Sequence, residues 1–398
     1  MSGMPIFSPD AALAEDWRSG RFVGRIQTSQ GPSPILIDGG VTYDMSKVAP
    51  TVSQLIECGQ LQPAGGEVLG DLCDVIAGGA RLLSPVDLQC VKAAGVTFAV
   101  SAVERVVEER ARGDYARAAE MRAAFEARIG GGIKGLKPGS AAAMKLKQAL
   151  IDEGMWSQYL EVAIGPDAEV FTKSPVLSTV GWGAEVGIRS DSSWNNPEPE
   201  VAILADSHAR PIGATLANDV NLRDIEGRSA LLLGKAKDNN ASCALGPLVR
   251  LFDDGFSMDD VRSAVVDLLI EGLDGYVLKG VSTMHDISRD PVDLIRGSVD
   301  EHDYPDGFIL LLGTLFAPTD DRGEPGRGFT HRVGDIVTVC SPRLGKLVNR
   351  VTTSRDAPPW TLGIGGLMQN LAARGLLTPT GTSDRETHPF DRREAGPG

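Results

Sequence analysis

The chain carries the run NNPEPEVAIL at residues 195–204. A short apolar run with breaking residues on either side is consistent with a β-strand. Side chains alternate along a strand, so Glu198 and Glu200 share one face while Pro199 points to the other. This stretch therefore predicts a strand that presents two carboxylates side by side.

A further acidic residue, Asp219, follows after a short turn. The segment DSHARP at residues 206–211 has the composition of a turn, and Asn218-Asp219 lies beyond it. A turn centred between residues 209 and 210 pairs Glu200 with Asp219, and cross-strand partners project from one face. We therefore predict that the carboxylates of Glu198, Glu200 and Asp219 converge at one point.

Three converging carboxylates require compensation if they are buried, because like charges at short range repel one another. A hard divalent cation with oxygen ligands provides it, and we expect Mg²⁺, with Mn²⁺ or Ca²⁺ as substitutes. A solvated acidic edge that binds no metal is the alternative, since Glu-x-Glu also arises by chance.

Composition limits the classes of partner. The chain has 398 residues, 42% of them hydrophobic, and a net charge of −14 without a long basic run, which argues against nucleic acid or an anionic membrane surface as partner. It has no apolar stretch of the roughly 20 residues that a membrane span needs. The N-terminus lacks the pattern of a signal peptide. Five scattered cysteines without a CxxC pair indicate free thiols in the cytoplasm.

Many short strand-like runs broken by Gly, Pro and Asp predict a mainly β protein with some α, an α+β chain. We expect a small N-terminal domain at residues 1–85, a catalytic domain at 86–377 and a disordered tail at 378–398. Predicted strands include 95–100, 160–164, 185–189, 308–312 and 335–339. Predicted helices include 48–58, 101–128, 257–271 and 291–296, and the glycine-rich segment 130–140 is either a mobile lid or an exposed linker.

These motifs together resemble the fumarylacetoacetate hydrolase superfamily. The resemblance covers residues 85–354 and rests on the Glu198-Pro199-Glu200 pair, the run NDVNLRDIEG at 218–227, and Lys237 followed by SCALGP at 242–247. It implies a mixed β-roll catalytic domain beside the small N-terminal α+β domain, Mg²⁺ on Glu198, Glu200 and Asp219, and a homodimer or a dimer of dimers.

Within the superfamily the chain is most similar to the dehydratases of 2-keto-3-deoxy sugar acids. The hydrolases place a metal-binding Asp where this chain has Thr97 and a catalytic His where it has Glu104. The resemblance therefore implies Mg²⁺-dependent dehydration of a 2-keto-3-deoxypentonate, such as 2-keto-3-deoxy-D-xylonate, to 2-oxoglutarate semialdehyde. A Mg²⁺ ion held by three carboxylates keeps sites for the carboxylate and keto oxygens of such a substrate.

Proton transfer is assigned to Lys237, which matches the active-site lysine of the family and whose pKa we expect to fall near a cation. Glu104 is the second catalytic candidate, with a helix-capping role opposite Ser101 as its alternative. The remaining substrate-binding candidates are hydroxyl, cationic and acidic groups, namely Ser101, Arg189, Ser190, Asp191 and Thr314. For Lys173 we expect solvent exposure rather than an anion contact.

Two other functions stay open. One is a hydrolase or decarboxylase of a diketo acid or acylpyruvate on the same scaffold. The other is a non-catalytic binding protein that a metal stabilises, which the pairing of Lys237 with the carboxylates disfavours.

Overall fold

The computed structural model describes residues 4–118, 121, 133, 135–316, 318–323 and 328–377. The described residues leave out the predicted tail at 378–398, residues 119–120 and 122–128 of the predicted helix, and residues 130–132 and 134 of the glycine-rich segment.

Eighteen strands occur in the part of the chain that the structure describes. They are β1 (Arg21–Thr28), β2 (Gly31–Asp38), β3 (Val41–Asp44), β4 (Glu67–Gly70), β5 (Arg81–Leu82), β6 (Cys90–Gly95), β7 (Glu169–Ser174), β8 (Glu185–Ile188), β9 (Asn195–Asn196), β10 (Pro199–Ala205), β11 (Pro211–Asp219), β12 (Asn221–Leu222), β13 (Cys243–Leu251), β14 (Val265–Glu271), β15 (Val277–Thr283), β16 (Phe308–Leu311), β17 (Ile336–Ser341) and β18 (Gly345–Thr353).

The α-helices lie between and after these strands. They are α1 (Pro9–Ala12), α2 (Val52–Glu57), α3 (Leu72–Ala77), α4 (Ala99–Ala111), α5 (Ala141–Asp152), α6 (Gln158–Ile164), α7 (Arg223–Glu226), α8 (Leu233–Lys237), α9 (Met258–Arg262), α10 (Pro291–Val299) and α11 (Ile364–Ala373).

A long sheet runs β4-β3-β2-β1-β13-β11-β10-β16-β6-β7, with β5 paired to β1, and a smaller sheet runs β15-β14-β17-β18-β8. The pairs β16–β6 and β18–β8 are parallel and the other pairs of these two sheets are antiparallel. The predicted α+β class, with its β-rich catalytic part, is confirmed. Strand β1 pairs with β13, so the N-terminal strands continue the long sheet, and the division at residue 85 stays a prediction.

The main core lies between the two sheets. It joins Val201 and Leu216 of the long sheet to Leu268 and Val339 of the small one. The opposite face of the long sheet carries Ala202 and Leu204 and is covered in part by α2. Because β10 is buried on both faces, any charged residue at its end must find its partners inside the protein.

Three sequence predictions of local structure are wrong. Residues 160–164 belong to helix α6, because the Ser157 side chain caps it by accepting from the N–H of Tyr159, and a short apolar run does not by itself distinguish strand from helix. The predicted helix 257–271 ends at Arg262 and continues as strand β14, where burial alternates with the period of two of a strand.

The third error concerns the predicted strand 95–100. Strand β6 ends at Gly95, Val96 has a left-handed φ of 55°, and helix α4 begins at Ala99. The predicted helices near 48–58 and 291–296 are confirmed as α2 and α10, the latter capped by Asp290.

Candidate active site

The two glutamates stand where β10 begins. Glu198 and Glu200 lie on the face that continues with Ala202 and Leu204, as the alternation predicts. Both glutamate side chains are about 2% exposed. The sequence therefore brings two carboxylates into the interior with no water to solvate them.

The hairpin register differs from the predicted one by two residues. Pro199 pairs with Asn218 and Glu200 with Ala217, so Asp219 lies opposite Glu198, whose carbonyl accepts the Asp219 N–H at 3.0 Å. A register shift between residues 204 and 205, next to a tight turn, moves the strands past each other. Asp219 is consequently a diagonal neighbour of Glu200, which is still within side-chain reach.

The three carboxylates meet as predicted. One oxygen from each of Glu198, Glu200 and Asp219 lies within 4.8 Å of the others, and all three residues are buried. Burial raises the pKa of Glu200 well above its usual range, and the neighbouring Asp219 and Glu198 charges raise it further. An all-oxygen donor set that carries excess negative charge in a dry site fits Mg²⁺.

Glu200 is held by the segment after β16. The Gly313 N–H donates to Glu200 Oε2 at 2.8 Å, and the Thr314 hydroxyl lies 3.3 Å from Glu200 Oε1. Gly313 has a φ of +101°, and a Cβ there would lie 2.0 Å from the hydroxyl oxygen of Thr97. Thr97, which stands where the hydrolases have an Asp, donates to the Leu312 carbonyl at 2.6 Å and so helps to shape this turn.

Two buried lysines contact the triad. Lys237, at the end of α8, contacts Glu198 and lies 3.2 Å from Asp219 Oδ2. Lys173 is 0% exposed, its Nζ lies 2.9 Å from Asp219 Oδ1, and it also donates to the Lys237 carbonyl. The expectation that Lys173 is solvent-exposed is wrong, because a register shift in β7 leaves it between Thr172 and Ser174, which pair with β6, and turns it inward.

The pKa of Lys237 depends on the charges around it. Burial alone lowers it, but the carboxylates of Asp219, Glu198 and Glu226 outweigh burial and raise the pKa above its usual value. This direction applies to the side chains without a bound cation, so the fall expected near a cation stays a prediction.

A buried arginine completes the surroundings of Glu198. Arg105 of α4 contacts Glu198, lies 2.7 Å from Glu108 and lies 2.9 Å from Glu226. Arg223 also contacts Glu108, at 3.2 Å. The acidic centre thus lies within a network of ion pairs. Each of its four cationic side chains contacts at least one carboxylate, and these are Arg105, Lys173, Arg223 and Lys237.

Ser101 and Glu104 of α4 do not form the predicted capping box. Ser101 is buried and its hydroxyl donates to the Phe98 carbonyl at 2.8 Å. Helix α4 already begins at Ala99, so Glu104 lies inside the helix and the predicted capping box with Ser101 is wrong. Glu104 is buried on the same helix as Arg105, which reaches the triad.

The polar segment before the triad contacts other residues. Arg189 Nε lies 2.7 Å from Asp191 Oδ1, and its Nη1 lies 3.1 Å from the Asn239 side chain. Ser190 and Asp191 are exposed. Among the described contacts, none joins Arg189 or Asp191 to a triad carboxylate, so their substrate-binding roles stay predictions.

Sequence reasoning missed Arg105, the burial of Lys173, and Glu169. The Glu169 carboxylate lies over Gly95, where a Cβ would come within 1.9 Å of its Oε2. Burial raises its pKa, while the charges of Arg105 and Lys237 lower it. Glu169 is the first residue of β7, the strand that also contains Lys173. Its place on the same strand as Lys173 was the sequence signal that could have pointed to Glu169.

Comparison with known proteins places this site in context. No protein-family model matches the chain. The chain is 30% identical over 187 residues to the 2-dehydro-3-deoxy-D-arabinonate dehydratase of Saccharolobus solfataricus, an alignment that covers 47% of this chain and 59% of the relative. It is 29% identical over 202 residues to a probable 2-keto-3-deoxyxylonate dehydratase of Haloferax volcanii, covering 51% and 66%. The alignments thus span less than two thirds of either relative's own length.

Solved structures show the same architecture. A 2-keto-3-deoxy-D-arabinonate dehydratase in its apo form matches with a TM-score of 0.60 and 20% identity, over 84% of this chain and 99% of that one. The chain therefore shares the fold of this dehydratase. The same dehydratase complexed with magnesium and 2,5-dioxopentanoate matches with a TM-score of 0.59 and 20% identity, over 84% and 99%. An isomerase, the 5-carboxymethyl-2-hydroxymuconate delta-isomerase of Mycobacterium smegmatis, matches with a TM-score of 0.51 and 18% identity, over 83% of this chain and 98% of that one.

These comparisons confirm the resemblance that the sequence predicts. The chain is similar in sequence to sugar-acid dehydratases and similar in fold to dehydratases and isomerases of the superfamily. None of the helices in the described part of the chain has the length and apolarity that a bilayer crossing requires. All five cysteines are free thiols, as predicted.

Proposed function

We propose that this chain is a Mg²⁺-dependent hydro-lyase that converts a 2-keto-3-deoxypentonate to 2-oxoglutarate semialdehyde, also called 2,5-dioxopentanoate. The observation that carries the proposal is the contact of Lys237 with two members of a buried carboxylate triad, Glu198 and Asp219. Dehydration next to a keto group requires a site for a cation and a group that carries a proton, both at the same place.

The named relatives support the substrate class. Both curated relatives are named as dehydratases of 2-keto-3-deoxypentonates, and the magnesium complex of a similar fold holds 2,5-dioxopentanoate. The two substrate names describe one compound, because the stereocentres that distinguish D-xylonate from D-arabinonate, C2 and C3, are lost. Only the D centre at C4 remains, and we propose that this enantiomer is the substrate.

Glu198, Glu200 and Asp219 would hold the Mg²⁺ ion, which supplies Lewis-acid polarisation of the keto group. Around it, Gly313 and Thr314 orient Glu200, and Lys173 orients Asp219.

The reaction removes one proton from C3 and the hydroxyl from C4, which together leave as water. The C3–C4 double bond then moves to C4–C5, as C5 loses a proton and C3 gains one, and the resulting enol becomes the C5 aldehyde. Lys237 carries a proton when no cation is bound, and a cation beside it would lower its pKa and so make it able to give that proton to the departing hydroxyl.

Glu169 and Glu104 are our candidates for the base that takes the C3 proton. Glu169 lies within the electrostatic influence of Lys237 and Glu198, and burial raises its pKa, which makes its carboxylate a stronger base. The proposed contacts of the substrate's carboxylate and hydroxyl groups remain Ser101, Arg189, Ser190, Asp191 and Thr314. A homodimer or dimer of dimers and a cytoplasmic setting also stay proposals.

A turnover assay tests the function. The full chain is incubated with 2-keto-3-deoxy-D-xylonate, with its L enantiomer and with an acylpyruvate, each in the presence of Mg²⁺ or of a chelator, and aldehyde and acid release are measured. We expect aldehyde from the D compound with Mg²⁺ only. Acid release from the acylpyruvate without aldehyde formation would establish the hydrolase alternative, and Mg²⁺-dependent melting with no turnover would establish the binding-protein alternative.

A further inference from the structure

The chain from Ala357 to Ala373 contains no charged residue, although 23% of the whole chain is charged. The segment follows β18, the last described strand, and ends with helix α11. It lies beyond residue 354, where the resemblance to the fumarylacetoacetate hydrolase superfamily ends. The superfamily motifs therefore do not explain why 17 consecutive residues are uncharged.

One side of α11 packs on the protein. Leu367 and Leu371 are buried and belong to a small apolar cluster with Leu177. The Asn370 side chain donates to the carbonyl of Gln30, just before β2, at 2.8 Å. These contacts fix the helix in place and determine which of its sides faces outward.

The outward side of α11 is also apolar. Ile364 is 53% exposed and Met368 is 56% exposed, and the exposed Ala372 continues the same row. Residues four positions apart are neighbours on one side of a helix, so the three side chains form a stripe. A helix that is apolar on its outward side as well as its inward side is normally buried. The stripe therefore indicates that α11 meets another molecule.

Other exposed apolar residues of the described chain are less suited to a contact. Val281 of β15 is 63% exposed, but the exposed Asp267 of β14 lies directly across from it. Covering Val281 would bury this carboxylate as well, which costs free energy unless the charge is paired. The stripe on α11 has no such cost, because the segment around it is uncharged.

The charge of the protein limits where two copies can meet. Each copy carries a net charge of −14, so two copies repel each other over most of their surfaces. The segment 357–373 contributes nothing to this repulsion, and covering it takes no charge out of water. An uncharged apolar surface on an acidic protein is thus the place where a second copy approaches at the lowest cost.

A second copy also fits the stripe in shape, because Ile364 and Met368 are large and Ala372 is small. In an antiparallel pair with a two-fold axis at Met368, Ile364 of each protomer lies against the partner's Ala372, so a large side chain meets a small one. Gly365, which is exposed beside the stripe, has no side chain to keep the two helices apart. The stripe is therefore complementary to itself.

Two other occupants fit less well. Residues 378–398, which follow the helix in sequence, contain one large apolar residue, Phe390, among seven Asp, Glu and Arg residues, so they cannot supply a matching apolar surface. Helices that lie on a lipid surface are rich in Lys and Arg on their polar side, and α11 has neither.

We propose that the outward side of α11 is an interface between two copies of this chain, related by a two-fold axis at Met368. A helix of ten residues is only about 15 Å long, so the contact extends to its exposed neighbours Trp360 and Leu377 to approach the roughly 800 Å² that a stable dimer buries on each partner. The proposal locates one interface of the proposed homo-oligomer and does not depend on the proposed reaction.

Sedimentation velocity of the full chain tests the interface. Met368→Glu places two like charges at the axis and should halve the number of copies per particle at a fixed protein concentration. Val281→Glu adds the same charge to another exposed apolar residue and should leave the copy number unchanged. Melting curves verify that both variants are folded. A wild-type chain that sediments as a monomer, or a folded Met368→Glu variant with the wild-type copy number, would overturn the proposal.

Chemical cross-linking locates the axis. The exposed Cys58 and Cys73 are first replaced by serine, and a cysteine is then introduced by Met368→Cys or, as control, by Val281→Cys. A bismaleimide reagent that spans roughly 8–10 Å, the separation of packed helix axes, should join two copies of Met368→Cys, because a residue on a two-fold axis meets its own copy. It should leave Val281→Cys as single chains. Equal yields of covalent dimer from the two variants would refute an axis at Met368.

Discussion

Lys173 Nζ lies 2.9 Å from Asp219 Oδ1, and the lysine side chain has no exposed surface. The same ammonium group donates to the Lys237 carbonyl, so one side chain ties a proposed metal ligand to the segment that carries the proposed acid. A lysine is buried in this way only when its charge is paired, because the desolvation of an ammonium ion is costly.

The variant Lys173→Met should therefore lower the free energy of unfolding by about 3–5 kcal/mol, since it leaves Asp219 with one cation fewer in a buried site. Mg²⁺ binding should become tighter, because a positive charge near the ion is removed. Denaturant unfolding with and without Mg²⁺ measures both effects. The control Lys92→Met removes a lysine that contacts only the Thr172 hydroxyl among its described hydrogen bonds, and it should change neither quantity much. Unchanged stability of Lys173→Met would contradict the pairing.

Glu200→Gln should abolish Mg²⁺ binding while the protein stays folded. The amide keeps the size of the side chain and can still accept the Gly313 N–H, but it removes one of three carboxylates from the donor set. Without Mg²⁺ the melting temperature should be equal to or higher than that of the wild type, because burial and two neighbouring carboxylates disfavour the charge of Glu200.

Calorimetric titration with Mg²⁺ measures the binding, and the exposed Glu67→Gln serves as control for the loss of one carboxylate. Tight Mg²⁺ binding by Glu200→Gln would remove Glu200 from the metal site.

The sequence alone predicted the triad because strand alternation requires only a period of two. Glu198 and Glu200 share a face in any extended conformation, the predicted hairpin placed Asp219 beside them, and the resemblance added Lys237. The hairpin register was beyond prediction, since the shift near residues 204 and 205 arises from the turn and its packing.

Long-range packing explains what the sequence could not show. Lys173 is turned inward at a register shift in β7, and Arg105 reaches Glu198 across 93 positions of the chain. Neither relation leaves a local pattern. The errors at 160–164 and 257–271 have another cause, because short apolar runs fit both strand and helix until capping and neighbouring strands decide between them.

Gly313→Ala should weaken Mg²⁺ binding at least about tenfold. The residue has a φ of +101°, which side chains rarely adopt, and an added Cβ would approach the Thr97 hydroxyl oxygen to 2.0 Å. The turn must then shift, and its N–H no longer holds Glu200 Oε2. Titration with Mg²⁺ measures the effect. The control Gly234→Ala, where a Cβ meets nothing within 4 Å, should bind Mg²⁺ as the wild type does. Equal affinities of both variants would show that the Gly313 turn does not position Glu200.

The pH dependence of stability should carry a contribution from Glu226. Burial raises its pKa to about 7 from the ordinary 4.5, against the opposing charges of Arg105 and Lys237. Between these pH values the folded chain holds a proton that the unfolded chain has lost, so stability falls as pH rises through this window and is level above it. The total loss is up to roughly 3 kcal/mol.

Glu226→Gln is neutral at every pH and lacks this contribution. Its melting temperature relative to the wild type should therefore rise between pH 4.5 and 7. A difference that stays constant across the window would show that Glu226 is ionised there in both states.

Lys237→Met should lower kcat for the 2-keto-3-deoxypentonate by about 10²–10⁴-fold, the usual effect of losing a positioned proton donor. KM should change far less, because the substrate's carboxylate and keto group bind elsewhere in the proposed site. Lys237→Met should also lower the free energy of unfolding, as Lys173→Met does, because it removes a buried cation from Glu198 and Asp219, and melting curves verify that the variant is folded. Steady-state kinetics with saturating Mg²⁺ measure the two constants, and the exposed Lys279→Met controls for the removal of a lysine. If kcat is unchanged while Mg²⁺ affinity rises, Lys237 serves only to balance the charge of the carboxylates, and the proton must come from another group, with Glu169 the next to test by Glu169→Gln.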